Sequence, residues 1–171
     1  MHTTASKITI VRMVLVPVFL ALVYTGHNVA GFVVYTLACL SDYADGYVAR
    51  HYNQITDFGK FMDPLADKIL VLAAMCFFVE RGLMPGWAVA IVLFREFAVS
   101  GLRLLAVEQQ RVIAAGWSGK IKTASTMVGL GLMLLFGSSQ TLCLLVTAVI
   151  VVTTVWSGVE YFIRNKDVFR D

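Results

Sequence analysis

Four aspartates at helical spacing between residues 42 and 67 are the side chains best suited to chemistry. The stretch SDYADGYVARHYNQITDFGKFMDPLADK, residues 41–68, holds five of the eleven acidic residues of the chain. At 100° per residue, Asp42 and Asp45 share one stripe of a helix, and Asp63 and Asp67 share one stripe of the next. Carboxylate oxygens suit Mg²⁺ or Mn²⁺, and the lack of clustered His or Cys argues against zinc. We therefore predict two divalent cations, which would stabilise the entering and leaving oxygens of a phosphoryl displacement.

Small and cationic residues beside the aspartates are predicted to admit a phosphorylated ligand. Gly46, Ala49 and Gly59 fall on the same stripes, so a bulky ligand can approach the helix backbones. Arg50 lies one turn beyond Gly46 and can form a forked pair with a diphosphate. Two alternatives stay open: small residues also tighten helix packing in membranes, and Asp63 is also suited to cap a helix that starts with a proline.

The elements that must position these residues are membrane helices. The 171 residues are 58% hydrophobic and 15% charged, with a mean hydropathy of +0.77, a balance typical of membrane proteins. The first apolar run lacks a suitably placed small-residue cleavage site, so we interpret it as a span rather than a signal peptide. The predicted fold is all-α, a polytopic membrane protein with a single domain over residues 1–171. Six apolar segments approach the roughly 20 residues that a span needs: approximately 7–25, 30–51, 60–80, 85–107, 119–137 and 140–163.

The basic residues predict the orientation of these six spans. An even number of spans puts both termini on one side of the membrane. That side would hold nearly all Lys and Arg residues of the ends and links, whereas the opposite side would hold Arg81 alone. Because cytoplasmic loops carry an excess of Lys and Arg, we predict that both termini and the aspartates face the cytoplasm.

The aspartate stretch resembles the complete signature of the CDP-alcohol phosphotransferase family. The pattern is Asp42-x2-Asp45-Gly46-x2-Ala49-Arg50-x8-Gly59-x3-Asp63-x3-Asp67. The resemblance implies a six-helix membrane enzyme, commonly dimeric, that moves a phosphatidyl or related group from a CDP-linked lipid to an alcohol and releases CMP. It further implies that the four aspartates ligate metal, that Asp67 is the general base, and that the nucleotide is contacted by Gly46, Ala49, Arg50 and Gly59.

The chain resembles, over nearly its whole length, the branch of this family that uses glycerol 3-phosphate as acceptor. Three segments carry this resemblance, the first of which overlaps the signature: GKFMDPLADK from residue 59, REFAVSGLR from 95 and GKIKT from 119. The resemblance implies that Arg95, Arg103 and Lys120 bind the phosphate of the acceptor. An arginine inside an apolar helix is a functional candidate in its own right, and Arg103 lies eight residues on, on much the same face. Alternatives stay open here too: Arg103 and Lys120 can extend to the cytoplasmic surface, and Arg95 can pair structurally with Glu96 or another carboxylate.

The amino-terminal segment departs from that branch. The run TTASKITIVR keeps Thr9 and Arg12 but lacks the Asn and Pro that commonly precede them, and Ser41 stands where Thr is more usual. Neither difference touches the aspartate signature.

The expected activity is transfer of the phosphatidyl group of CDP-diacylglycerol to sn-glycerol 3-phosphate, giving phosphatidylglycerol phosphate and CMP in phospholipid biosynthesis. We expect a Mg²⁺- or Mn²⁺-dependent homodimer in a bacterial inner membrane, with membrane lipid but no nucleic acid as partner. Other acceptors are inositol phosphate, serine and phosphatidylglycerol, of which the basic residues disfavour the last two. A divalent-cation transporter is the rival from another class, and Arg50 argues against it because a fixed cation would repel the cargo.

Overall fold

The computed structural model describes the backbone of residues 4–51, 57–111, 113–114 and 116–169, and the side chains of residues 10–41, 68–111, 113–114 and 116–168. Within these ranges the secondary structure is entirely helical, as predicted. A short 3₁₀ helix at Lys166–Phe169, which the sequence did not predict, follows the last long helix. The six long helices are α1 Thr4–Tyr24, α2 Asn28–His51, α3 Asp57–Glu80, α4 Gly86–Glu108, α5 Trp117–Phe136 and α6 Gln140–Arg164. Their order and approximate bounds agree with the six predicted segments.

Two tight glycine turns connect the helices on the side opposite the aspartate segment. Gly26 ends α1 with φ of 85° and Gly82 ends α3 with φ of 69°. At the first turn the amide of Gly26 donates to the carbonyl of Val23 and that of His27 donates to Leu22. This pair of bonds is the Schellman motif, in which glycine takes the left-handed conformation at little steric cost. The motif lets α2 start close to the end of α1 and pack back along it.

An apolar core joins all six helices. Helix α1 packs on α2 and α3, α5 packs on α6 and α2, and α4 packs on α6. The hydroxyl of Tyr35 donates to the carbonyl of Met127 over 3.3 Å and so links α2 to α5. We call the buried apolar residues that the six helices share the apolar core. Its largest fully buried members include Phe19, Leu70, Met75, Phe78, Leu130, Met133 and Ile150. A smaller cluster formed by Val99, Leu102, Ala106, Tyr161 and Val168 holds the end of α4 against α6 and the 3₁₀ helix.

Many exposed side chains of the bundle are apolar, whereas several charged side chains point towards its interior. On α4, Phe94 and Phe97 are 78% and 73% exposed, whereas the side chains of Arg95 and Glu96 between them are only 13% and 17% exposed. That distribution is the reverse of a water-soluble helix and is typical of a helix in contact with lipid, where ionisable residues face the bundle interior.

Helix α6 is the one helix in the described ranges that is long and apolar enough, by composition alone, to cross a membrane. Two shorter apolar stretches, Ile10–Tyr24 and Asn28–Ser41, lie in α1 and α2. Helices α4 and α5 have similar lengths but carry charged residues in their sequences. The inward orientation of Arg95, Glu96 and Lys122 explains how such helices can still present apolar side chains to their surroundings.

Candidate active site

The two helices that carry the predicted metal ligands extend through all four positions. Helix α2 continues to His51 and α3 begins at Asp57, so the helical spacing on which the prediction depends holds along the backbone. Since α3 begins six residues before Asp63, this aspartate lies inside the helix, and the alternative that it caps a helix starting at Pro64 is wrong. The side chains of the whole signature lie outside the described residues: Asp42, Asp45, Gly46, Ala49, Arg50, Gly59, Asp63 and Asp67.

Glu96 on α4 is the centre of a buried ionic cluster. Its Oε1 accepts a hydrogen bond from Nζ of Lys122 at 2.7 Å and another from Nη1 of Arg95 at 3.0 Å. Its Oε2 lies 3.7 Å from Nζ of Lys68, which donates to the hydroxyl of Ser100 at 2.8 Å. The cations therefore come from three helices, α3, α4 and α5, and meet at one carboxylate. We call Lys68, Arg95, Glu96 and Lys122 the Glu96 cluster.

The Glu96 cluster is positively charged and poorly hydrated. Three cationic side chains surround one carboxylate, which leaves a net charge of +2 among these four side chains. The side chain of Lys122 is only 7% exposed, while that of Lys68 is 34% exposed and marks the open edge. Because charges interact more strongly where water is partly excluded, the excess of positive charge makes this edge attractive to an anion.

Small residues on two helices make room for Arg95. Its Nη2 donates to the hydroxyl of Ser157 on α6 at 2.5 Å. A Cβ built on Gly158 would lie 3.2 Å from Cγ of Arg95, and one built on Gly119 would lie 3.7 Å from its Nη2. Nε of Arg95 is buried without a hydrogen-bond partner among the described residues. Arg95 is therefore held between α5 and α6, and its pairing with Glu96 confirms the structural contact that the sequence left open.

The other two predicted acceptor residues lie on more exposed surface. Arg103 donates from Nε to the hydroxyl of Tyr161 at 3.1 Å, with its Cζ 5.6 Å from the centre of that ring. Nζ of Lys120 lies 4.9 Å above the ring of Trp117. No direct contact joins Arg95, Arg103 and Lys120 in the part of the chain described, although Gly119 brings the backbone beside Lys120 close to Arg95.

Lys122 is the site residue that the sequence prediction missed. It lies two residues beyond Lys120 in the same GKIKT segment, yet Lys120 is exposed and Lys122 is buried. The signal was available, because the polar residues Ser118, Lys122 and Thr126 recur at i, i+4 and i+8 in the sequence, and the structure buries all three. A polar stripe on an otherwise apolar helix marks the face turned towards the bundle interior.

A second buried cation lies where α1 meets α2. Arg12 is 1% exposed, and its Nε donates to the hydroxyl of Ser41 over 3.4 Å. Ser41 in turn donates to the carbonyl of Ala38 at 2.7 Å and directly precedes Asp42. The Ser that replaces the more usual Thr thus supplies the hydroxyl that receives Arg12.

Comparison with known proteins shows the family to which this chain belongs. Residues 2–156 match the family model described as CDP-alcohol phosphatidyltransferase. The chain belongs to this family. Family membership confirms the resemblance found in the aspartate signature. With the apolar α6, it indicates an integral membrane transferase, and CDP-alcohol phosphatidyltransferases generally use divalent metal ions.

Curated relatives share one activity in their names. The chain is 36% identical to the CDP-diacylglycerol–glycerol-3-phosphate 3-phosphatidyltransferase of Bacillus subtilis, over 99% of this chain and 98% of the relative. A probable phosphatidylglycerophosphate synthase of Mycobacterium tuberculosis strain H37Rv is 39% identical over 94% of this chain and 80% of the relative. The Escherichia coli K12 relative, named like that of Bacillus, is 36% identical over 74% of each chain.

Proposed function

We propose that this chain transfers the phosphatidyl group of CDP-diacylglycerol to sn-glycerol 3-phosphate, producing phosphatidylglycerol phosphate and CMP. The observation that carries the proposal is the similarity to the Bacillus relative along almost the full length of both chains. The net positive charge of the Glu96 cluster adds independent support, because an acceptor that bears a phosphate needs a cationic site whereas serine does not.

The reaction needs a base for the acceptor hydroxyl and a place for the departing nucleotide. Asp67 takes the proton from the hydroxyl at C1 of glycerol 3-phosphate, and the oxygen attacks the lipid-bearing phosphorus of the donor. A new P–O bond to glycerol forms while the P–O bond to CMP breaks. Arg50 forms a forked pair with the diphosphate, and Gly46, Ala49 and Gly59 allow the nucleotide to lie against the helices.

The donor set suits a hard divalent cation. Asp42, Asp45, Asp63 and Asp67 offer only carboxylate oxygens, from positions on two helices that contact each other, and such oxygens are the ligands of Mg²⁺ and Mn²⁺. We propose that these aspartates hold two ions, which neutralise phosphate charge when bound. Most of the rate enhancement then comes from aligning the two substrates and stabilising the charge on the phosphates.

Topology and assembly extend the proposal. The chain forms one membrane domain over residues 1–171, in which all six helices cross a bacterial inner membrane with both termini and the active site in the cytoplasm. The distribution of Lys and Arg supports this orientation, since Arg81 is the one basic residue in the links on the side opposite the termini. A homodimer follows from the family resemblance. Labelling of cysteines introduced in intact cells at the exposed positions His27 and Ser138 should show both on the outer face, and chemical cross-linking in native membranes should show the dimer.

Separate assays of each acceptor test the proposed function. Purified enzyme receives CDP-diacylglycerol and Mg²⁺ with glycerol 3-phosphate, inositol phosphate, serine or phosphatidylglycerol, and the lipid product is identified by mass. We expect phosphatidylglycerol phosphate together with an equal amount of CMP. A product formed only with inositol phosphate would reassign the acceptor while preserving the family chemistry. Uptake of Mg²⁺ into vesicles without CMP release would instead favour the transporter.

A further inference from the structure

Among the described residues, three cationic side chains from α3, α4 and α5 meet at a single carboxylate, that of Glu96. We propose that Glu96 is a positioning residue for the acceptor, and that it orients Lys122 and Lys68 so that their ammonium groups bind the acceptor's phosphate. The inference depends on the proposed function, because it assumes a phosphorylated alcohol as acceptor, and it assigns roles to three residues that the family signature does not include.

The geometry explains how one side chain can place two lysines. Both oxygens of Glu96 are used, since Oε1 accepts from Lys122 at 2.7 Å and Oε2 faces Lys68 at 3.7 Å. Lysine has a flexible four-carbon stem and a compact charge, so its position depends on its partners. Without Glu96 the ammonium groups would repel each other and separate.

The remaining hydrogen-bonding capacity of the lysines points to an anionic ligand. An ammonium group has three N–H donors. Lys122 gives one to Glu96, and Lys68 gives one to Ser100 while facing Glu96. In both cases donors remain for a further acceptor. A phosphate monoester carries about −1.5 to −2 charges at pH 7, which matches the net charge of +2 in the Glu96 cluster.

The position of Lys68 on α3 also suits a phosphate site close to the proposed base. Lys68 directly follows Asp67, the proposed base, so the two residues are separated by about 1.5 Å along the helix axis and by about 100° around it. Glycerol 3-phosphate carries its reactive hydroxyl and its phosphate at opposite ends of a three-carbon chain. A phosphate held near Lys68 and Lys122 therefore leaves the hydroxyl within a short reach of the segment that contains Asp67.

A buried ion pair can also be purely structural. Replacing such a pair with apolar residues of similar size is often neutral or stabilising, whereas removing one partner is costly. The two roles make different predictions. If the pair is only structural, replacing both partners together restores stability and a normal KM for glycerol 3-phosphate. If the pair serves a phosphate site, the KM stays raised even when both charges have been removed together.

The experiment therefore uses five variants of the full-length enzyme in detergent micelles: Lys68→Met, Lys122→Met, Lys122→Arg, Glu96→Gln and the double variant Glu96→Gln/Lys122→Met. Michaelis constants for glycerol 3-phosphate and for CDP-diacylglycerol are measured in each, together with thermal unfolding. Glu160→Gln is the matched control, because Glu160 pairs with Arg164 at 2.7 Å, the distance of the Glu96–Lys122 pair, and its side chain is 22% exposed compared with 17% for Glu96.

We expect the KM for glycerol 3-phosphate to rise about tenfold or more in Lys122→Met, in Glu96→Gln and in the double variant, and severalfold in Lys68→Met, while the KM for CDP-diacylglycerol is unchanged. The double variant should unfold near the wild-type temperature and still bind the acceptor weakly. Lys122→Arg should recover part of the affinity because it keeps the charge. The control should behave like the wild type.

Three results would overturn the inference. The double variant could regain a normal KM for glycerol 3-phosphate, which would make the pair structural. The KM for CDP-diacylglycerol could rise instead, which would place the cluster at the donor. The variants could also keep normal constants for both substrates. Failure of the proposed function looks different, because the wild-type enzyme itself would then not convert glycerol 3-phosphate.

Discussion

The apolar core and the Glu96 cluster lie in the same helical bundle but differ in how completely their interactions are satisfied. Phe78 of α3 is 1% exposed and surrounded by apolar side chains from neighbouring helices. Ten residues earlier on the same helix, Lys68 faces a carboxylate that already serves two other cations. The core needs nothing further to be stable, whereas the cluster has an excess of positive charge. The proposed role of the cluster in binding the acceptor's phosphate accounts for this difference.

The largest effect is expected at the proposed base. Asp67→Asn keeps the shape of the side chain and one metal-binding oxygen but removes the proton acceptor. Turnover should fall by roughly 10² to 10⁴ at saturating substrate concentrations, while CDP-diacylglycerol still binds. Single-turnover kinetics and lipid-binding measurements separate the two effects. Asp167→Asn, at an exposed position of the 3₁₀ helix, is the control, and near-normal turnover in Asp67→Asn would remove Asp67 from the mechanism.

Loss of a predicted metal ligand should affect binding as well as turnover. In Asp42→Ala or Asp45→Ala, the remaining carboxylates bind the divalent ions less tightly, so higher Mg²⁺ or Mn²⁺ concentrations are needed for activity. CDP-lipid binding should weaken in parallel. Titration of activity with Mg²⁺ after treatment with a chelator measures the shift. Unchanged metal requirements in both variants would contradict the assignment of these aspartates as ligands.

The apolar core should show the opposite pattern, with a large effect on stability and little on specificity. Phe78→Ala removes most of a fully buried ring and should reduce the free energy of unfolding by about 3 to 5 kcal/mol. The protein that remains folded should keep normal Michaelis constants for both substrates. Thermal unfolding in detergent and kinetics below the unfolding temperature test this. A selective rise in the acceptor KM would show that the core and the cluster are not separable.

Arg103 and Lys120 should have smaller effects, confined to the acceptor. If each donates a charge-assisted hydrogen bond to the acceptor's phosphate, Arg103→Ala or Lys120→Ala should raise the KM for glycerol 3-phosphate about tenfold. The KM for CDP-diacylglycerol should not move. Arg111→Ala is the control, because its exposed charge lies in the loop after α4. Equal behaviour of all three variants would show that Arg103 and Lys120 act only as surface charges.

The smallest effects are expected at two glycines, Gly158 beside the Glu96 cluster and Gly129 beside the apolar core. A Cβ on Gly158 would lie 3.2 Å from Cγ of Arg95, whereas one on Gly129 would lie 2.7 Å from a methyl group of Val146. Gly158→Ala should displace Arg95 slightly and raise the acceptor KM about two- to fivefold. Gly129→Ala should lower stability by about 1 to 3 kcal/mol without changing the KM. The reverse result would contradict the division between the regions.

The sequence predicted the helices well because long apolar segments separated by short polar links leave few alternatives. The start of α3 was harder to delimit, because Pro64 allowed the helix to begin either near residue 60 or at the proline itself, whereas it begins at Asp57. The 3₁₀ helix at Lys166–Phe169 has no periodic signal over its four residues. Short elements of this kind depend on contacts, here those of Val168 with the end of α4.

The candidate site could be predicted only in part for a different reason. Spacing places Asp42 and Asp45 on one stripe, but it does not show which of several cations turns inwards. Lys120 and Lys122 are two residues apart, and although the polar stripe that contains Lys122 favours it as the inward residue, the partner that it meets is set by the packing of α5. The convergence of Lys68 and Lys122 on Glu96 joins residues 26 and 28 positions apart, and no local pattern reports such a contact.

The transfer of a phosphatidyl group to the hydroxyl of glycerol 3-phosphate is tested most directly by following one oxygen atom. Glycerol 3-phosphate labelled with ¹⁸O at the C1 hydroxyl is incubated with CDP-diacylglycerol, Mg²⁺ and the purified enzyme, and both products are analysed by mass spectrometry. Attack by that hydroxyl on the lipid-bearing phosphorus predicts that all the label is found in phosphatidylglycerol phosphate and none in CMP. Label in CMP, or a lipid product without it, would contradict this reaction.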